Sequence, residues 1–246
     1  MEDYSAFTSD LKTLGIEITD KQIDQFNTYF ELLVEWNKVM NLTTITEFSD
    51  VCKLHFVDSL MASKFYDFSA KNYSLVDIGT GAGFPGIPLK IIFPNLNVSL
   101  LDSLNKRLKF LNEVIDKLGL NNEEGQIVTV HGRAEDMAAH SKTGILREKF
   151  DIGCARAVAN LSTLSEYCLP YVKKRGVFIS YKSADIKDEV SSAGKAIKLL
   201  GGKTRSVNEF VLPDTDVNRS IIIIDKCKNT MPMYPRKAGL PSKEPL

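Results

Sequence analysis

At 246 residues, 43% apolar and 25% charged, the chain can hold one large domain or a main domain with a smaller attachment. No continuous apolar stretch approaches the roughly 18 residues of a membrane span, and the opening MEDYSAFTSD has no apolar signal core, so a cytoplasmic protein without a membrane partner is expected. The formal net charge of zero excludes a generic nucleic-acid coat, yet residues 1–140 carry 12 Lys+Arg against 20 Asp+Glu and residues 141–246 carry 19 against 11. That asymmetry allows one side of the molecule to face an anionic polymer.

The four cysteines and three histidines form no C-x-x-C pair and no HExxH helix, so no structural metal and a reducing compartment are expected. Residues 1–70 read as a helical extension. Ile23, Phe26, Tyr29, Phe30, Leu33 and Trp36 recur at helical spacing after Thr19, a candidate N-cap with Gln22 three positions on. Asn41 to Thr46 breaks the pattern, and a second helical stripe follows through Val51, Leu54, Val57, Leu60 and Phe65. His55 and Asp58 share a face of it, as a capping or interface hydrogen bond or as a polar contact bordering a ligand site.

From Tyr73 onward strands and helices alternate with short connections, the pattern of βαβ units. Leu75 to Ile78 is the first strand, followed by Gly79, Gly81 and Gly83 at alternate positions and then a helix opened by Pro85-Gly86. Glycines there permit a tight turn and close backbone approach, and the helix N-terminus offers free N–H groups. Further strands are predicted at 97–101, 126–130, 150–155 and 176–181, with helices at 105–118, 161–171 and 186–200. Residues 205–212 and 219–225 around Pro213-Asp214-Thr215 read as an antiparallel hairpin. Five crossover strands and a hairpin suit a mixed seven-stranded sheet rather than two mirrored dinucleotide-binding halves. The tail MPMYPRKAGLPSKEPL, with Pro232, Pro235, Pro241 and Pro245, is expected to form no regular element. Residues 71–246 are therefore expected to form a Rossmann-like domain ending in a hairpin and a basic, proline-rich tail.

Nicotinamide, flavin and S-adenosylmethionine enzymes all use such a glycine turn. Asp77 lies two residues before Gly79, where it fixes the loop or meets the cationic end of a methionine-derived ligand. Asp102 ends the second strand, 23 residues past Gly79, where a carboxylate accepts both ribose hydroxyls. There is no second phosphate motif, which favours the methylsulfonium cofactor. Ala134 and Glu135 fall beside the expected adenine, although Glu135 also suits a helix start. Arg156, after the fourth strand, is placed to orient a carboxylate or to hold an RNA phosphate or base. That strand ends C-A-R-A and lacks the Pro-Pro-aromatic run that grips an exocyclic amine, and Cys154 reads as a packed core residue. What remains suits an acceptor already nucleophilic, such as a ring nitrogen, for which alignment outweighs general base catalysis.

Taken together, NLT at 41–43, HFVDSL at 55–60, DIGTGAGFPGIPL at 77–89, LLDSLNKRLKFL at 100–111, GRAED at 132–136, ARAVANL at 155–161 and YPRKAGLP at 234–241 carry a resemblance. They resemble the bacterial ribosomal RNA small-subunit methyltransferase G family, also called glucose-inhibited division protein B, over nearly the whole chain. The resemblance implies a class I S-adenosylmethionine-dependent methyltransferase fold with an N-terminal helical extension. It implies methylation of N7 of one guanine, position 527, in 16S ribosomal RNA, with S-adenosyl-L-homocysteine as product. By resemblance Gly79 and Phe84 contact the cofactor, with Gly81 and Gly83 in the same turn; Asp102 and Ser103 face its ribose, Ala134 and Glu135 flank its adenine, and Arg156 closes the site. Arg156 and Lys182 are the catalytic candidates, and Lys182, Arg219, Arg236 and Lys237 the candidates for RNA contact. Ser183 follows Tyr181-Lys182 where the family usually has glycine. The expected partner is 16S RNA, within the small subunit or an assembly intermediate, met by a monomer. The alternative is a small-molecule methyltransferase with an enclosed apolar acceptor pocket.

Overall fold

The computed structural model describes residues 3–156, 159–183 and 186–246, so Ala157 and Val158 of the ARAVANL segment lie outside the described residues. Its strands are β1 (Ser74–Ile78), β2 (Asn97–Asp102), β3 (Ile127–His131), β4 (Phe150–Arg156), β5 (Val172–Ser183), β6 (Gly202–Val211) and β7 (Asn218–Lys226). They form one sheet in the order β3-β2-β1-β4-β5-β7-β6. The first five are parallel, whereas β7 runs antiparallel to both β5 and β6. Strand order reverses between β1 and β4, and the crevice over the C-terminal ends of these strands is where open α/β sheets hold ligands.

The run Ile221 to Ile224 shows why an unbroken aliphatic stretch becomes a strand here. Side chains alternate across a sheet, and Ile221 and Ile223 pack into one apolar cluster while Ile222 and Ile224 pack into the other. Both faces are covered, so nothing in β7 has to be polar. Helices α5 (Gly86–Ile92) and α6 (Asn105–Leu118) follow β1 and β2. The short α7 (Ala134–Met137) follows β3, α8 (Leu161–Cys168) follows β4 and continues as a 3-10 turn to Tyr171, and α9 (Lys187–Leu199) follows β5.

The N-terminal helices are α1 (Ser5–Thr13), α2 (Asp20–Met40) and α3 (Phe48–Val51). α3 passes without a break into a π-helical turn (Cys52–Val57), α4 (Asp58–Leu60) and a 3-10 turn (Met61–Lys64). The capping box at Thr19 forms: its hydroxyl accepts from the Gln22 N–H, and the Gln22 side chain accepts from the Thr19 N–H. These helices share their apolar cluster with one face of the sheet, Phe26, Tyr29 and Phe56 joining Ile87, Leu100 and Ile152. α2 is also tied down by polar contacts, Gln22 to the Ile91 carbonyl at 2.8 Å and Gln25 to the Leu118 carbonyl at 2.8 Å.

Two sequence expectations need correction. The proline-rich tail does form a regular element, the helical turn α10 (Leu240–Lys243). Pro241 sits in its first turn, where the missing N–H costs nothing, and Gly239 supplies the left-handed residue before it. Strand five extends through Ser183, so Lys182 is a strand residue paired with Ser220. Among the described residues no helix is long and apolar enough to cross a membrane, and no cluster of three metal-ligating side chains occurs.

Candidate functional site

β1 ends at Ile78, and the chain turns at once through Gly79 (φ 70°), Gly81 (φ 61°) and Gly83 (φ 101°), conformations that side-chain-bearing residues rarely adopt. Gly79 and Thr80 N–H groups donate to the Leu101 carbonyl, which joins the turn to β2. Asp77 lies beneath the turn with no exposed surface. Its Oδ2 accepts from Thr80 Oγ1 at 2.7 Å and from the Gly86 N–H at 2.9 Å, so it fixes the loop and the start of α5 together. Burial pushes its carboxyl up to about 6, against the pull of those two hydrogen bonds. Asp77 is not on a cavity wall. Neither is Gly83: a Cβ there would stand 2.5 Å from Ile87 Cδ1 and 2.7 Å from Tyr29 Oη.

The cavity above the turn holds about 540 Å³ and is lined by Gly79, Gly81, Phe84, Asp102, Ser103, Ala134, Glu135 and Arg156, residues from four separate stretches of sequence. Asp102 is nearly buried at the end of β2. Its Oδ2 accepts from the Gly81 N–H at 3.1 Å and from Arg107 at 3.2 Å, and its Oδ1 from the Leu104 N–H at 2.8 Å. The carboxylate is thus held in place by the turn and by α6, with a lone-pair site left on Oδ1. Glu135 accepts from the Gly239 N–H at 2.8 Å, and the Ala134 carbonyl accepts from Tyr171 at 2.7 Å.

Arg156 is the last residue of β4 and paired with Tyr181. Its guanidinium lies 4.9 Å from the Phe84 ring centre and donates to Asp58 Oδ2 at 3.2 Å. It also faces His55 Nδ1 at 3.3 Å. The same Nδ1 lies 3.1 Å from the Leu54 carbonyl, and Nε2 lies 2.8 Å from Thr43 Oγ1. Burial first, then the Arg156 charge, hold His55 down at about 4, and the ring stacks on Phe84 at 4.5 Å. His55 and Asp58 therefore meet through Arg156 rather than with each other.

A second cavity of about 440 Å³ adjoins the first, and both are lined by His55 and Arg156. Lys182 and Arg219 lie here. Lys182 Nζ donates to the Ala159 carbonyl and to Glu189, both at 2.5 Å, while Arg219 Nε is 3.3 Å from Asp58 Oδ2. Arg236 and Lys237 are in neither. The Arg236 guanidinium grips Glu166, which has no exposed surface, at 2.6 to 3.1 Å and also donates to the Glu244 carbonyl. It anchors the tail. Lys237 is exposed.

Other wall residues escaped the sequence reading. Arg107 had a signal, five positions beyond Asp102 in the first turns of α6. Thr43 lay in the quoted NLT segment without an assigned role. Gly239, in the quoted YPRKAGLP segment, also lines the first cavity, as do Tyr167 and Ser242, to which nothing local pointed. Cys154 is buried, and burial pushes its thiol well up, as befits a core residue.

A solved S-adenosylmethionine-dependent methyltransferase from Aquifex aeolicus matches 75% of this chain and 96% of its own at 15% identity with a TM-score of 0.52, which shows the fold. The fold is that of class I methyltransferases. The ribosomal RNA small subunit methyltransferase G of Lachnoclostridium phytofermentans is 51% identical over 246 residues, 100% of this chain and 98% of its own. Its namesake from Brevibacillus brevis is 50% identical over 240 residues, 98% of each chain. The model of the family described as rRNA small subunit methyltransferase G matches residues 22–221. The chain belongs to that family.

Proposed function

We propose that the chain transfers a methyl group from S-adenosylmethionine to N7 of guanine 527 in 16S ribosomal RNA, acting as a cytoplasmic monomer on the small subunit or an assembly intermediate. The observation that carries this reading is the pair of adjoining cavities over the strand ends, in a chain of this family. The first cavity fits the cofactor: about 540 Å³ lies within the ~300–1,000 Å³ of small-molecule sites. Its turn is also open, since a Cβ at Gly81 would meet only the Gly79 carbonyl oxygen, at 4.0 Å.

In this reading Asp102 accepts from the ribose hydroxyls, Ser103 lies beside them, and Ala134 and Glu135 flank the adenine. Gly79 and Gly81 bring backbone close to the ligand, and Asp77 and Gly83 hold that turn in shape from below. When bound, the cofactor supplies an electrophilic methyl group on a sulfonium. N7 of guanine already bears a free lone pair, so no side chain has to remove a proton. The residues between the cavities have other tasks. Phe84 and the neutral His55 ring form a dry wall, and Arg156, anchored on Asp58, orients charged groups on either side. Lys182 acts through its hold on Glu189 and the Ala159 carbonyl, which shapes the acceptor side. Lys237 remains a candidate for a phosphate contact.

Purified protein with methyl-labelled S-adenosylmethionine should label isolated small subunits or naked 16S RNA, with the label mapped to guanine 527 as 7-methylguanine. Label confined to small metabolites would establish the small-molecule alternative instead.

A further inference from the structure

The second cavity has chemistry that a generic RNA contact surface does not require. Its apolar wall is formed by Ile45, Leu54 and Phe210. Its polar wall is formed by Asp58, Arg219 and Ser220. Ser220 is 1% exposed, and its Oγ is buried with no hydrogen-bond partner among the described residues. A buried hydroxyl without a partner is destabilising, and a polar ligand in the adjoining space relieves it. Asp58 is 5% exposed, and both of its guanidinium contacts, from Arg156 and Arg219, fall on Oδ2. Oδ1 receives no hydrogen bond among the described residues. A nearly buried carboxylate oxygen is thus left for donors that arrive with a ligand.

Resting on the reading above, we infer that this cavity receives the extruded guanine and identifies it through Asp58, which accepts from the N1–H and 2-amino groups. The chemistry of the acceptor demands recognition at that edge. The N7 lone pair makes the new bond, so a donor placed on N7, the usual arginine contact with guanine, would block the reaction. Identity has to be read at atoms away from N7. N1–H and the 2-amino group are adjacent donors on one edge, matched to a carboxylate. Adenine presents a lone pair at N1 and no 2-amino group, so the same carboxylate repels it. About 440 Å³ leaves room for a single flipped base and part of its sugar, with the Phe210 ring and Leu54 in the lining. Ser220 then gains a partner on the bound nucleotide. Asp58 touches the substrate; Arg219 and Arg156 are positioning residues that hold its carboxylate.

The test uses small subunits reconstituted with 16S RNA carrying guanine or inosine at position 527. Inosine keeps N7, O6 and N1–H and lacks only the 2-amino group. Wild-type protein should methylate the guanine substrate with a kcat/KM at least tenfold above inosine, and Asp58→Ala should bring that ratio near one. Ser220→Ala should lower kcat/KM for both substrates alike, with unchanged affinity for S-adenosyl-L-homocysteine. Equal use of inosine and guanine by the wild type overturns the inference without any variant, which keeps it decidable if Asp58→Ala does not fold. A preference that survives in folded Asp58→Ala overturns it as well. No transfer to the guanine substrate at all refutes the proposed function and this inference with it, an outcome distinct from loss of preference alone.

Discussion

Replacing Arg236 with alanine should loosen the cofactor cavity from a distance. Arg236 contacts no cavity, yet it pins the tail that carries Gly239 and Ser242 to the wall beside Glu135. The guanidinium makes two parallel charge-assisted bonds to Glu166, whose side chain is 1% exposed, while its own side chain is 20% exposed. Bonds of this kind contribute roughly 1.5–3 kcal/mol each. Partial exposure of the guanidinium puts the loss near 3 kcal/mol, the lower end of the ~3–5 kcal/mol for removing one partner of a buried pair. That is on the order of a hundredfold in the ratio of docked to undocked tail. Titration calorimetry with S-adenosyl-L-homocysteine should show at least a tenfold weaker Kd for Arg236→Ala, together with faster tryptic cleavage at Lys237. Lys237→Ala, at an exposed side chain with no ion pair among the described residues, should leave that Kd unchanged. If Arg236→Ala binds the cofactor product as the wild type does but loses turnover on RNA, the tail is an RNA arm and the anchoring role is refuted.

Asp102→Ala removes the acceptor for the Gly81 and Leu104 N–H groups as well as the proposed ribose contact, so its cofactor Kd should rise on the order of a hundredfold; an unchanged Kd would remove the ribose assignment. Gly83→Ala forces a Cβ to within 2.5 Å of Ile87 at a φ of +101°, and denaturant unfolding should report a loss of about 3 kcal/mol. The Asp77 carboxyl has a folded value of about 6 against 3.8 unfolded. A raised folded value means stability is fully present below about 4 and lost as pH rises through about 6, by about 3 kcal/mol at most. Asp77→Asn should flatten that decline in urea midpoints measured from pH 4 to 7; an unchanged slope would assign it to other groups. His55, held at about 4, should stay neutral from pH 5.5 to 8, so turnover should show no inflection near the ordinary histidine value of 6.5.

The parallel core of the sheet was readable because each strand announced itself by an aliphatic run and each crossover by helical periodicity. Strand ends were less so. Lys182 and Ser183 continue β5 because β7 supplies antiparallel partners at Ser220 and Arg219, a long-range pairing with no local signature. The glycine turn and Asp102 were legible since they serve one another over a short sequence distance. The partner of Arg236 was hidden for the opposite reason. An arginine in a basic tail looks available to a phosphate until Glu166, 70 residues earlier, is seen buried beside it. His55 offered only a shared helix face with Asp58; that Arg156 would stand between them depends on where β4 ends against the π-helical turn.

The Tyr29 hydroxyl donates to the Ala82 carbonyl at 2.5 Å, which braces the glycine turn from α2, while Gly239 and Ser242 complete the opposite wall. The seat is therefore closed by contacts of very long sequence separation at both ends. During synthesis the central strands can pair as they emerge, but a nascent chain lacks part of its ligand wall until residue 242 has left the ribosome. If the first cavity seats the methyl donor, the complete seat forms only after the last strand, which ends at Lys226, so donor binding to it is a late event in the life of each molecule.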